Sequence, residues 1–216
     1  SNTAPSAVND SGTLNENATL SRSTKNGIIQ SNDTDAEGDS LTISQFQTGS
    51  TDNPSAVIGA FGVPLDGDYG QLSLQANGSF DYVANRATAE ALTTGESASD
   101  TFSYTVSDGK LSEMAEISFT INGINDAPDL VDAIKTKKYT EGQSNVTIID
   151  GSLTIRDVDD INIENASVSI TDEFQTNEDT LAFTPNFGIT GSWSQATGVL
   201  SLTGSATKTN YESALQ

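Results

Sequence analysis

The sequence predicts an all-β chain built from two β-sandwich domains in tandem. Three observations predict it. Strand signals recur at short intervals between Gly, Asn and Asp clusters, the pattern of sandwich proteins. Hydrophobic residues make up 34% of the 216, and small polar residues fill the difference, which suits thin layers with much surface. The order of features also repeats. Asn2-Thr-Ala-Pro5 opens the chain, and Asn125-Asp-Ala-Pro128 stands past its middle. Glu16 follows the first proline by 11 residues and Glu141 the second by 13. Asp33-Thr-Asp35 begins 28 residues after Pro5, and Asp157-Val-Asp159 begins 29 after Pro128. The repeat is roughly 124 residues long, which divides the chain into domains at 1–127 and 128–216.

In the first domain, strands are expected near 16–21, 27–31, 40–46, 69–75, 78–83, 100–107 and 111–121. Gln71-Leu-Ser-Leu-Gln75 and Phe80-Asp-Tyr82 alternate apolar with polar residues, and Asn77-Gly78 between them is a strong hairpin signal. Phe102-Ser-Tyr-Thr-Val106 and Met114-Ala-Glu-Ile-Ser-Phe-Thr-Ile121 form a second hairpin through Ser107-Asp-Gly-Lys110. Thr88-Ala-Glu-Ala-Leu92 is a helix-like piece before Gly95. In the second domain, strands are expected near 137–140, 145–149, 152–156, 166–171, 180–184, 188–193 and 198–203, with a short helix over 207–215. The first domain has two long strands after its helical piece and the second has none, so the second is expected to be truncated at its C-terminal end. At the join, Pro128 fixes its own φ and pushes Ala127 to extended backbone, as a stiff linker requires.

Composition narrows the function. Acidic residues number 30 against 9 basic, for a net charge of −21. That balance disfavours nucleic acid, whose phosphates are bound by Lys and Arg, and anionic membrane surfaces equally. No apolar run reaches the length of a membrane span, so no direct membrane insertion is expected. The absence of cysteine leaves no disulfide framework, and the absence of histidine removes the commonest general base and transition-metal ligand. A two-carboxylate glycosidase site is open on composition, but no cleft-forming insertion frames one, and no enzyme activity is expected. What remains is a chain rich in hard oxygen ligands. Calcium takes six to eight of these, mixing carboxylates with amide and backbone carbonyls. Asp33-Thr-Asp-Ala-Glu-Gly-Asp39 reads either as a solvated acidic loop or as such a cation loop. Trp193 reads as core, with sugar stacking as its alternative.

These residues resemble bacterial cadherin-like domains, Greek-key sandwiches of the cadherin/immunoglobulin-like kind. Gly70-Gln-Leu-Ser-Leu74, Asn77-Gly-Ser-Phe-Asp-Tyr82, Ala91-Leu-Thr-Thr-Gly-Glu96 and Asp100-Thr-Phe-Ser-Tyr-Thr-Val-Ser-Asp-Gly109 are together similar to the VCBS-type repeat of large RTX adhesins. Residues 129–216 resemble a sister domain of the same adhesins through Tyr139-Thr-Glu-Gly142 and Gly198-Val-Leu-Ser-Leu-Thr-Gly204. The resemblance implies calcium held between successive domains. Its ligands would be Glu16, Glu96, Asn122, Asn125, Asp126, Asp157 and Asp159, with a second set of Asp33, Asp35 and Asp108 in the first domain. Asn122-Gly-Ile-Asn-Asp-Ala-Pro128 departs from the family linker, with Asn122 in place of its first aspartate and Ile124 in place of its first asparagine. The implied role is a calcium-stiffened extender module of a secreted or surface-anchored bacterial adhesin, reached by type I secretion and serving adhesion and biofilm. Its partners would be neighbouring repeats of the same chain, with a cell-surface glycan or protein bound through other domains. The alternative is a carbohydrate- or protein-binding sandwich.

Overall fold

The computed structural model describes residues 1–24, 27–132, 140 and 151–216. The strands expected at 137–140 and 145–149, and Glu141, fall outside these residues apart from Thr140. The chain divides into two compact units, Ser1–Asn125 and Asp126–Gln216.

Unit 1 is a sandwich of two sheets. One has the order β1(Asp10–Asn15)-β9(Ser112–Asn122)-β8(Ser97–Ser107)-β3(Thr42–Gly49)-β4(Pro54–Ile58). The other has the order β2(Thr19–Arg22)-β7(Phe80–Val83)-β6(Gln71–Leu74)-β5(Leu65–Asp66). The chain crosses from one sheet to the other between β1 and β2, β2 and β3, β4 and β5, and β7 and β8, the Greek-key habit of such sandwiches. β1 runs parallel to β9, and the β8–β9 pair is antiparallel from Ser97↔Asn122 to Ser107↔Ser112. Inward-facing Phe102, Tyr104 and Val106 of β8 and Ala115, Ile117, Phe119 and Ile121 of β9 are buried against Leu72, Leu74, Phe80 and Tyr82 of the second sheet. Tyr82 stacks on Phe119 at 3.9 Å between ring centres, and Phe102 stands edge-on to both at 6.2 Å. The β6–β7 turn has Gly78 at φ +83°, the left-handed geometry that Asn-Gly turns supply.

Three local readings are corrected. Residues 27–31 do not form a strand: Ile28–Asn32 is a helical turn, α1. A strand would send Ile28 and Ile29 to opposite faces, whereas both are buried in one core, and the Ile28 N–H donates to Gly78 O at 2.9 Å. β1 and β4 lie where no strand was expected, as do the short strands Leu65–Asp66 and Asp129–Val131. β1 buries only Leu14, and β4 begins at a proline on a sheet edge, so neither carries an apolar alternation. Residues 180–184 form no strand, although Leu181 and Phe183 pack on the core of unit 2. The helix-like piece is α2, Ala87–Glu90.

Among the described residues, unit 2 contains two sheets. β10(Asp129–Val131) pairs with β11(Thr154–Arg156), and β12(Asn162–Ser169), β14(Val199–Thr207) and β13(Thr190–Ser194) follow in that order. Helix α3, Lys208–Leu215, follows β14 directly, and the Thr207 hydroxyl caps it by accepting from Asn210 N at 3.2 Å. Ile155, Ile163, Ile189, Leu200, Leu202, Ala206 and Tyr211 form its core, with Trp193 half-buried at its edge and edge-on to Phe174.

Candidate metal centre

The densest group of carboxylates lies in the turn that follows β11. Arg156-Asp-Val-Asp-Asp160 leaves the strand, and its alternation turns Val158 outward and Asp159 inward. Asp157 Oδ1 accepts from Asp160 N at 2.9 Å, closing the turn. One carboxylate oxygen each from Asp157, Asp159 and Asp160 lies within 4.8 Å of the others. No other three carboxylates among the described residues come that close. Asp159 is only 8% exposed, and both its oxygens face the Asp126 N–H at 3.3 Å. Burial raises its carboxyl above the usual range, and the neighbouring Asp157 carboxylate adds to this. Asp126 is thereby brought onto the same turn. The donor set is all oxygen and fits a hard cation such as calcium.

The turn is braced by Lys208, the first residue of α3. Its Nζ donates to Asp157 O at 2.6 Å and to Asp160 O. It makes no ion pair with the carboxylates of this turn: the pairs among the described residues are Arg86–Asp66 and Lys110–Asp39. In the sequence Asp160 reads, with Asp159, as a cap of a local turn rather than as a ligand, and Lys208 does not stand out. Asp160 could have been found as the third acid of Asp-x-Asp-Asp, whereas Lys208 lies 48 residues from Asp160 and acts through backbone carbonyls.

In unit 1 the expected ligands fall into two groups at opposite ends of β9. Glu16, Glu96 and Asn122 lie at its C-terminal end. Glu16 is 2% exposed, its N–H donates to Asn122 O at 3.0 Å, and its Oε1 accepts from Ile124 N. Glu96 is exposed; its Oε2 accepts from Thr93 N at 3.1 Å and its carbonyl from Gly123 N at 3.0 Å. Gly123 is obligatory here, because a Cβ would stand 2.4 Å from the carbonyl oxygens of Leu92 and Thr93. Asn125 is exposed and ends the unit.

At the other end lie Asp33, Asp35 and Asp108, which are not gathered as closely as the unit 2 acids. Asp33 Oδ1 accepts from Val8 N at 2.8 Å, and its Oδ2 is buried without a hydrogen bond. Burial, with the Asp10 and Glu113 carboxylates nearby, pushes its carboxyl up to about 6. Asp35 Oδ1 accepts from Glu37 N and Asp39 N, each at 2.9 Å, while its Oδ2 is likewise buried and unmatched. Asp108 is committed to the β8–β9 turn. It accepts from Lys110 N at 2.6 Å, Leu111 N at 2.7 Å and Asn2 Nδ2 at 2.7 Å, and these bonds, Leu111 first, hold its carboxyl below the usual range.

Halomucin of Haloquadratum walsbyi (strain DSM 16790 / HBSQ001) is 29% identical over 218 residues, which cover 95% of this chain but 2% of halomucin. The chain thus spans a small fraction of that relative. Among solved structures, protocadherin gammaB7 EC3-6 is 12% identical with a TM-score of 0.31, over 95% of this chain and 40% of that one. An endo-fucoidan hydrolase from glycoside hydrolase family 107 is 18% identical with a TM-score of 0.26, over 94% of this chain and 24% of that one. A family model described as a bacterial cadherin-like domain matches residues 2–123, more than half of the chain, so the chain belongs to the bacterial cadherin-like domain family.

Proposed function

We propose that the chain is an extracellular, calcium-binding adhesion module whose acidic turns take up the ion. One observation carries the reading: in a cadherin-like chain, Asp159 is buried beside Asp157 and Asp160. Burying a carboxylate among like charges is costly, and a divalent cation among them adds an attraction to each that outweighs their mutual repulsion. Asp126 is the remaining ligand on that turn. Glu16, Glu96, Asn122 and Asn125 are further candidates in unit 1, as are Asp33, Asp35 and Asp108. Cadherin-like domains are typically non-enzymatic, and the lack of histidine agrees with a non-catalytic role.

The finer reading is an extender module of a VCBS-type RTX adhesin, exported by type I secretion and acting in biofilm, in which calcium stiffens the join of successive repeats. Its support is the motif set of unit 1 and the chain order, since Asp126 directly follows the last residue of unit 1. Direct glycan binding has less support. The groove of about 600 Å³ lined by Asn53, Asp66, Asp68, Arg86 and Asp100 carries no aromatic ring, and Trp193 packs half-buried against the core of unit 2.

The test is calorimetric titration of the whole chain with calcium, beside the double variant Asp157→Asn, Asp159→Asn. One class of sites is expected to vanish in the variant, with affinity in the range of about 10⁻⁴–10⁻³ M usual for extracellular modules. Identical stoichiometry and affinity in both proteins would remove the unit 2 site. Solution scattering with and without calcium tests the stiffening.

A further inference from the structure

We infer that helix α3 is the positioning element of the acidic turn: it lies along the edge of β11 that no strand among the described residues pairs, so calcium binding and helix docking are coupled. The inference rests on the calcium reading above and goes beyond it. Three polar side chains four residues apart reach the segment from Leu153 to Asp160. Gln216 Nε2 donates to Leu153 O at 3.1 Å. Glu212 Oε1 accepts from Ile155 N at 2.7 Å. Lys208 Nζ donates to Asp157 O at 2.6 Å, and also to Asp160 O. Four residues is about one helical turn, so these groups share one helix face. In an extended strand, residues 153, 155 and 157 present their backbone groups to one side. β10 takes the opposite side of β11, through Asp129↔Arg156 and Val131↔Thr154. The helix therefore supplies donor, acceptor and donor in the order that the exposed edge demands. An unpaired edge is otherwise a pairing surface for other chains.

The consequence for the ion follows from what Lys208 binds. It bonds two backbone carbonyls and makes no ion pair with the three carboxylates. One ammonium thus ties the carbonyls of residues 157 and 160 together, and the turn is held in the form that gathers its acids. Supporting groups of this kind commonly change metal affinity by about 10–100-fold when removed.

The experiment is calcium titration and amide hydrogen exchange on the full chain, comparing wild type with Lys208→Met, Lys208→Arg, Glu212→Ala and the double variant Asp157→Asn, Asp159→Asn. Lys208→Met is expected to weaken the unit 2 site by about 10-fold or more, and Lys208→Arg, which keeps donors at that place, to restore part of it. Glu212→Ala is expected to speed exchange of the Ile155 amide in calcium-free protein, a readout that needs no ion and survives if Lys208→Met fails to fold. Calcium is expected to slow exchange across α3. Wild-type affinity in Lys208→Met, with the site lost in the aspartate double variant, overturns the coupling and leaves the calcium site standing. Unchanged binding in the double variant overturns the calcium reading and the coupling with it. The docking of α3 on β11 is then judged by Ile155 exchange alone, and unchanged exchange in Glu212→Ala overturns that too.

Discussion

Asp100 in unit 1 and Asp159 in unit 2 are both buried aspartates, 4% and 8% exposed, yet their surroundings are opposite in kind. Asp100 accepts from the N–H groups of Asp68 at 3.1 Å, Tyr69 at 3.1 Å and Gly70 at 3.0 Å, and from the Tyr82 hydroxyl at 2.9 Å. The loop before β6 wraps so closely that a Cβ on Gly67 would stand 2.3 Å from Asp100 Oδ2. Burial, then the Asp100 charge, drives the Tyr82 hydroxyl far above its ordinary value, so it stays a donor. Asp159 instead meets the Asp126 N–H at 3.3 Å and two carboxylates within 4.8 Å. Neutral donors complete the first carboxylate, which is therefore a structural clip. The second faces two carboxylates of its own sign, and what would complete it is positive. Burial alone does not mark a functional acid; the sign of its neighbours does.

The strongest way to break this comparison is to remove the clip. Asp100→Ala leaves the Gly70 N–H and the Tyr82 hydroxyl buried without an acceptor, at about 1–3 kcal/mol each. The expected loss in unit 1 is about 3–5 kcal/mol in total, whether or not calcium is present. Trp193 is the only tryptophan and belongs to unit 2, so its fluorescence follows that unit, while amide exchange of β8 and β9 follows unit 1. A loss under about 1 kcal/mol would show that the loop holds without its carboxylate.

Asp100 also shows what sequence could and could not reveal. Its place before Phe102-Ser-Tyr-Thr-Val106 made it look like the start of a strand, and it does lie in one, β8. Nothing local signals that three N–H groups from 30 or more residues away converge on it. The β6–β7 and β8–β9 hairpins were legible because alternation and a Gly turn are local facts. α1 was not, because Ile28-Ile29 has strand propensity and only the surrounding core selects a helical turn. In the acidic turn, Asp157 and Asp159 stood out through a motif spacing, and the structure brings them together with Asp160 and Asp126. Lys208 was invisible for the same reason as Asp100: its partners are backbone groups of a distant segment.

Calcium should widen the difference between the units, with a smaller effect than loss of the clip. A ligand that binds the folded form alone stabilises it by RT ln(1 + [L]/Kd). At about 10 mM calcium and a Kd of about 10⁻⁴–10⁻³ M, unit 2 is expected to gain about 1.4–2.7 kcal/mol. Urea unfolding followed by Trp193 fluorescence, with calcium and with chelator, measures it. Coincident curves would mean that the turn binds no calcium in this range.

The smallest expected effect is the sharpest, because it depends on sign. Like charges about 4 Å apart repel by about 1 kcal/mol in water, and by more where water is excluded. Asp157 and Asp160 are half-buried and Asp159 is buried, so about 1 kcal/mol is the lower bound. Asp159→Asn removes one charge from that group while keeping an oxygen for the Asp126 N–H. In calcium-free protein it is therefore expected to stabilise unit 2 by about 1 kcal/mol or more, and added salt should shrink the gain. In saturating calcium the same change removes a charged ligand, and the variant should become the less stable protein. The two stability differences should cross between chelator and calcium. Asp100→Asn turns an acceptor into a donor against N–H groups already pointing at it, so it should destabilise unit 1 in both conditions without a crossing. If Asp159→Asn also destabilises in chelator, repulsion is not what governs the turn, and Asp159 is a clip of the same kind as Asp100.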